Sequence, residues 1–461
     1  MSDPRPALVG LSGPALDDDE RDLLARLRPQ GVLLFERNAT DEQQLRALTH
    51  EVDARLRDAG VDTPLVASDT EGGIVFPLHR VLDPGPGATT LGWIDRTELT
   101  ETVHADRGAR LRASGVNLVL APVADVDVAG NPVIGTRAFG RDPEHVRRHV
   151  AAAVRGLHRG GVACCVKHWP GHGAARVDSH LELPVLDRDD AALRAVDAPP
   201  FEDAVAAGVD AVMTGHLRVP AWQSVGTGPV SVDPAAIARL RSTLGFDGPL
   251  LGDAIEMQAL AGYGPGALRS AGLDLVLFAA PLARIETAVR ELDPTPAHAW
   301  HVPAAPRTEP ASEVPWDFAL RRDGEWPVPS PRRWWVVDEA GGDRLLRVPD
   351  DTADPLGHGH ATGHRAWENA LAPIADHVDV ITIERLADLE PTSDEGVALL
   401  SVRSGRFDDL SDRIATLRPA AWLLGGAAAI DDLRVGPGVA AARCAEVRPR
   451  LLERVLRSGA I

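Results

Sequence analysis

Eight short apolar runs, each followed by an amphipathic stretch, succeed one another from the N-terminus to about residue 292. They are Ala7 to Gly13, Gly31 to Phe35, Pro64 to Asp69, Asn117 to Pro122, Val162 to Lys167, Asp210 to Gly215, Pro249 to Asp253 and Asp274 to Phe278. Continuous apolar runs of this length suit parallel strands buried on both faces. The stretches between them carry helix-start signals. Thr40 and Gln43 form a capping-box pattern, and Asp142-Pro143 and Asp233-Pro234 each set an N-cap before a first-turn proline. Eight such units predict a (β/α)8 TIM barrel over residues 1–293. A doubly wound open sheet is the alternative, but no Gly-rich dinucleotide fingerprint follows the first run.

The periodicity fails from Asp293 to Pro331, where prolines crowd in, so residues 294–331 read as a Pro-rich linker or extended wrap. Beyond it "WWVVD", "VDVITI", "ALLSVR" and "AAWLLGG" alternate with helical stretches and predict a smaller α/β domain over residues 332–461. That part contains no metal, phosphate or nucleophile motif. Its simplest expected role is structural, or to form a homodimer.

Composition narrows the classes. With 44% hydrophobic residues the chain has material for a real core, and a net charge of -19 argues against nucleic acid as a partner. No basic leader precedes an apolar run at the start and no stretch is apolar for long enough to span a membrane, so a cytoplasmic location without membrane contact is expected. Three cysteines, Cys164, Cys165 and Cys444, make no disulfide framework and read as small buried hydrophobes.

One residue stands out chemically: Lys167 is the only lysine, every other cation among the 48 Lys and Arg being arginine. It lies in "CCVKHWPGHGAARVDSH", where a compact ammonium is called for rather than a guanidinium fork. In a barrel of this kind chemistry gathers at the carboxyl ends of the strands. Asp69 closes run three, Asp125 lies past run four, Lys167 and His168 close run five, His216 follows run six, and Asp253 ends run seven with a helix expected behind it. His168 and His172 are four apart, but Pro170, Gly171 and Gly173 forbid a helix through them, so no metal is expected there. The glycines instead predict a loop returning Asp178 and His180 over the mouth, where the carboxylate can orient the imidazole for proton transfer.

These stretches resemble family 3 glycoside hydrolases, in the β-N-acetylglucosaminidase branch. "KHWPGHGAARVDSH" is similar to that branch's signature, and "GVLLFERN", "DTEGG", "GVNLVLAPVADVD", "IGTRAFGRDP", "VMTGH" and "LGFDGPLLGDAIEM" fall in the family's order over roughly residues 7 to 290. The resemblance implies Asp253 as nucleophile forming a covalent glycosyl-enzyme, His180 supported by Asp178 as acid/base, and Asp69, Arg137, Lys167 and His168 as sugar-binding residues. It implies a retaining exo-β-N-acetylglucosaminidase acting on small carbohydrates such as amino-sugar oligomers or cell-wall fragments, with no cofactor and no metal. An imidazole in place of the usual carboxylic acid is left neutral after donating its proton, which would let phosphate compete with water. A β-glucosidase or mixed-specificity enzyme, and a non-catalytic amino-sugar-binding barrel, are the rival readings. The chain departs from the family at "IVFPLHR", where an arginine expected after "EGG" is displaced to Arg80, and at Ala174 and Ala175 after "GHG".

Overall fold

The computed structural model describes residues 3–294 except 74, 83, 84, 129, 130, 132, 180, 225 and 227. It also describes residues 298, 300 and 302, and the backbone of five strands between 333 and 444. The chain divides into two units.

The first unit is a closed barrel of eight parallel strands in sequence order. These are β1 (Arg5–Gly10), β2 (Pro29–Leu34), β3 (Leu65–Ser68), β4 (Leu118–Val119), β5 (Ala163–Trp169), β6 (Ala211–Thr214), β7 (Leu250–Ala254) and β8 (Leu275–Pro281). All eight coincide with the predicted runs. The helices are α1 (Asp18–Leu27), α2 (Glu42–Asp58), α3 (Ala88–Ile94), α4 (Thr97–Ala113), α5 (Pro143–Arg159), α6 (Asp190–Ala192), α7 (Ala198–Ala206), α8 (Pro234–Leu244), α9 (Pro265–Ala271) and α10 (Leu282–Glu291). A π-helical turn, Leu193–Asp197, joins α6 to α7.

Local chemistry sets the helix starts. Asp142 and Asp233 accept from the backbone N–H of Glu144 and Ala235, with Pro143 and Pro234 in the first turns, as predicted. The start of α2 falls one residue later than the capping-box reading. Asp41 is the cap and accepts from Gln44 N–H, while the Gln44 side chain accepts from Thr40 N–H. An aspartate beside a threonine wins the cap because its charged oxygen is the stronger acceptor.

Alternation decides what fills the barrel. The interior cluster takes Leu8, Leu33, Leu65, Ala67, Leu118, Leu120, Ala163, Cys165, Ala211, Met213, Leu251, Leu275 and Leu277, spaced two apart along their strands. Cys164 and Cys165 are both fully buried, as read from the sequence, whereas the side chain of Cys444 lies outside the described residues. Trp300 and Val302 pack against the same cluster, so the chain beyond residue 293 still covers the barrel. The rest of the Pro-rich stretch up to residue 331 lies outside the described residues, apart from residues 294 and 298.

The second unit contains a five-stranded, wholly parallel sheet: β9 (Arg333–Asp338), β10 (His377–Thr382), β11 (Gly396–Val402), β12 (Ala421–Gly426) and β13 (Ala441–Cys444), ordered β10-β9-β11-β12-β13. The four predicted strands are present, and the short β13 joins them at the edge. Parallel neighbours require crossover connections, which accords with the expected α/β class.

Candidate active site

The alternation that fills the barrel with hydrocarbon also builds the site. In β3 the inward series Leu65, Ala67 runs on to Asp69; in β5 Ala163, Cys165 runs on to Lys167; in β7 Leu251 runs on to Asp253. Each polar side chain therefore caps an apolar column at the carboxyl end of the barrel. Lys167 is the most enclosed, 2% exposed.

Lys167 sits between two carboxylates. Its ammonium hydrogen-bonds Asp69 Oδ1 and lies 2.6 Å from Glu71 Oε1. Glu71 in turn receives a two-pronged pair from Arg137, Nε to Oε2 at 2.9 Å and Nη2 to Oε1 at 2.7 Å. Burial alone would favour the protonated acid, but Arg137 and Lys167 override it and hold the Glu71 carboxyl far below the usual range. Burial likewise works against the Lys167 ammonium, and Asp69 and Glu71 reverse it, raising its pKa. Both cations stay charged at neutral pH.

The displaced Arg80 does not return to this site: it pairs with Glu36 on the surface. Arg107 of α4 braces the "EGG" turn instead, its Nη1 donating to Glu71 O at 2.7 Å and its Nη2 to Pro86 O at 2.9 Å.

A second group surrounds His168. Its Nδ1 donates to Asp125 Oδ2 at 2.7 Å, and its Nε2 faces Arg137 Nη2 at 3.3 Å and Asp253 Oδ2 at 4.0 Å. Asp125 Oδ1 also accepts from His172 N–H at 2.6 Å. Burial opposes charge on Asp125, yet His168 and the His172 amide keep its pKa lowered, so it remains the anion that fixes the His168 ring. Asp253 is 20% exposed, and its Oδ1 accepts from Ala254 N–H at 2.8 Å. His216 lies beneath this end of β7. Its Nε2 donates to Ala254 O at 3.2 Å while Nδ1 pairs with Ser231 at 2.8 Å, and burial lowers its pKa so that the ring is neutral.

The loop after β5 is held where the predicted glycines require. Gly171 adopts φ +128 against Asp197, and a Cβ on Gly173 would come within 1.8 Å of Val126 O. The Asn131 side-chain amide lies 2.8 Å from His172 O and 2.9 Å from Gly173 O. His172 Nε2 meets Ser179 Oγ at 3.2 Å, and Ser179 O accepts from Ala259 N–H at 3.1 Å. The loop thus crosses to the segment following β7, with the half-buried Asp178 beside Ser179. His180 lies outside the described residues.

One expectation is overturned: no α-helix begins directly behind Asp253. The chain makes a turn and a short 3-10 segment (Gln258–Leu260), and α9 starts only at Pro265. Glu256 accepts from Ala279 and Ala280 N–H at 3.1 and 3.0 Å, pulling the chain across to β8, and the glycines at 262 and 264 then interrupt it.

The structure brings Asp69, Arg137, Lys167, His168 and Asp253 into one contiguous network. Sequence reading missed Glu71, which links the two cations, although "DTEGG" placed it two residues past Asp69. It also missed the bracing by Asn131 and Arg107, for which no local signal exists.

Known proteins can be set beside this geometry. The glycosyl hydrolase family 3 N terminal domain matches residues 8–299. A beta-hexosaminidase from Chromobacterium violaceum is 39% identical over 310 residues, covering 64% of this chain and 85% of that protein. One from Stenotrophomonas maltophilia is 37% identical over 286 residues, covering 59% and 83%. Among solved structures, native NagZ from Neisseria gonorrhoeae superposes with TM-score 0.56 at 30% identity, over 63% of this chain and 86% of its own. A family 3 β-N-acetylglucosaminidase from Paenibacillus shares the fold over 99% of this chain and 96% of its own, with TM-score 0.75 at 24% identity. With a closed barrel, a charged mouth at the strand ends and a domain match over most of the described unit, this chain belongs to glycosyl hydrolase family 3 and is a glycoside hydrolase.

Proposed function

We propose that the enzyme is a retaining exo-β-N-acetylglucosaminidase with Asp253 as its nucleophile and the Asp178–His180 pair as its acid/base. The observation that carries this reading is the position of Asp253, a solvent-reached carboxylate above a closed apolar floor, facing His168 at 4.0 Å. The beta-hexosaminidases among its relatives support an amino sugar as substrate.

In the first step a carboxylate oxygen of Asp253 bonds to the anomeric carbon while the glycosidic C–O bond breaks and the leaving oxygen takes the proton of the His180 imidazolium. In the second, water adds to the anomeric carbon, His180 takes its proton, and Asp253 is released. The neutral imidazole left between the steps places no second negative charge near the glycosyl-enzyme. Asp69, Arg137, Lys167 and His168 hold the sugar hydroxyls. An ammonium has three N–H donors, and with two directed at Asp69 and Glu71 the third is left for substrate. Around the ring position, Asp69, Glu71, Asp125 and Asp253 outnumber Lys167 and Arg137, a balance that favours the positive charge developing in an oxocarbenium-like transition state.

The test is Asp253→Ala assayed beside wild type on aryl β-N-acetylglucosaminide and aryl β-glucoside. A loss of at least ~10³-fold in turnover is expected, the scale of removing a covalent nucleophile. Wild-type preference for the N-acetylglucosaminide is expected as well. Near-normal turnover by the variant would remove Asp253 from its role, and a preference for the glucoside would replace the substrate.

A further inference from the structure

Outside the mouth, the described residues contain two groups whose donor atoms converge closely enough to hold a metal ion: Asp95, His145 and His149, and His158, Cys164 and Asp210. The two differ in geometry. In the second, His158 Nε2 and Asp210 Oδ2 are 2.8 Å apart, a hydrogen bond rather than two ligands around an ion, and Cys164 is fully buried with its thiol pushed up, by burial first and Asp210 next.

The first group is spaced differently. His145 and His149 stand one turn apart on α5, and Asp95 closes the C-terminus of α3 in the left-handed conformation, φ 52. Asp95 Oδ1 lies 3.5 Å from His145 Nδ1 and is hydrogen-bonded to His149 Nε2 at 3.3 Å, a longer contact than the 2.8 Å of the other group and one that a bound ion would replace. Zinc bonds to nitrogen and oxygen of about 2.0–2.2 Å, arranged tetrahedrally, put neighbouring donors roughly 3.3–3.6 Å apart. Two of the three donor separations therefore match edges of a coordination tetrahedron, and all three donors lie within 4.8 Å of one another.

Two further features fit an ion there. The far nitrogen of His149, Nδ1, is 2.8 Å from Thr100 Oγ1, the kind of outer partner that fixes a ligating ring. The position also attracts a cation: Arg148 Nη2 reaches in to 3.1 Å from Asp95 Oδ1 and 3.5 Å from His145 Nδ1. Arg148 is 51% exposed and Asp95 48%, so the guanidinium can swing into water and leave an open approach.

We propose that Asp95, His145 and His149 form a binding site for a zinc-class divalent cation on the outer wall of the barrel, tying α3 to α5. The site backs onto the segment that carries Arg137. Phe139 stacks on the His149 ring at 5.4 Å and 21°, and the Phe139 carbonyl packs against Gly92 of α3. A bound ion would stiffen this wall without touching the sugar-binding network.

The full chain, free of affinity tag and treated with chelator, is titrated with zinc chloride by calorimetry and with cobalt(II) by electronic absorption. Wild type is expected to take up zinc and to melt at a higher temperature with it. His145→Ala and Asp95→Asn are each expected to weaken binding by at least ~10-fold, since even an outer-shell partner is worth that much. The asparagine keeps the left-handed cap available, so loss of binding cannot be put down to a lost cap. Arg148→Ala is expected to bind more tightly. Cobalt should show visible bands without a thiolate charge-transfer band, and turnover by His145→Ala should equal wild type. No zinc uptake, unchanged affinity in both ligand variants, or a thiolate band that moves the ion to Cys164 would each overturn the proposal.

Discussion

Two levels of the same barrel differ sharply over the span of one strand. In β5 the inward side chains Ala163 and Cys165 lie in a hydrocarbon layer, and the next one up, Lys167, is held between Asp69 and Glu71. Below that line the groups are interchangeable in kind, because dispersion and burial depend on volume and not on partners. Above it each group is defined by its partners. A charge so close to an apolar floor is poorly solvated, so Lys167, Asp69, Glu71 and Arg137 persist only as a set. The exposed ion pairs of the outer helices obey neither regime, being solvated whether paired or not.

That contrast can be broken most directly at Lys167. Lys167→Met keeps the length of the side chain and removes the charge, leaving Asp69 and Glu71 without their shared cation. A loss of about 3–5 kcal/mol is expected in urea unfolding, the scale of an orphaned buried charge. Adding Asp69→Asn should recover part of it, because Asp69 is the anion left without a cation while Glu71 keeps Arg137. A single variant within ~1 kcal/mol of wild type would show the upper level to be as forgiving as the lower.

Asp197 sharpens the comparison from the opposite side, as a buried acid with too little counter-charge. It ends the π-helical turn beneath Gly171. Burial pushes its pKa up to about 7, which Arg188 at 3.4 Å only partly offsets and Asp125 reinforces. Since the folded value lies above the ordinary 3.8, its contribution to stability is fully present below that value and is lost as pH rises through about 7. Asp197→Asn cannot ionise. It should therefore match wild type near pH 4 and exceed it by about 2–4 kcal/mol at pH 8, as read from thermal melts across that range. A difference that does not change with pH would mean that Asp197 is already ionised in the folded state.

The smallest effect belongs to the surface. Arg57 and Asp53 form an i,i+4 pair at 2.9 Å on α2, within hydrogen-bonding distance but open to water. Arg57→Ala should cost about 0.3–0.5 kcal/mol in the same urea titration. A loss approaching that of Lys167→Met would erase the distinction between the two environments.

How much of this could be read in advance depends on the range of the interaction. The eight strands were legible because a parallel strand buried on both faces must be apolar throughout, and the caps of α5 and α8 because Asp-Pro acts within three residues. Asp69, Lys167 and Asp253 were legible as strand-end polar groups. The helix expected behind Asp253 was misjudged because Glu256 takes its partners from β8, more than twenty residues away. Glu71 was passed over for the same reason: its importance comes from Arg137 and Lys167, which other segments deliver. In the second unit the short β13 carried too weak an apolar signal to be counted.

By itself the sequence determined the architecture and the inventory of chemistry: period and composition act locally and specify which faces are buried and which groups end the strands. Only the tertiary structure decided the pairings. Which carboxylate neutralises Lys167, which ring Asp125 orients, and that Asp95 meets two histidines of α5 follow from closing the barrel, because Coulomb and hydrogen-bond energies depend on distances that chain spacing does not set.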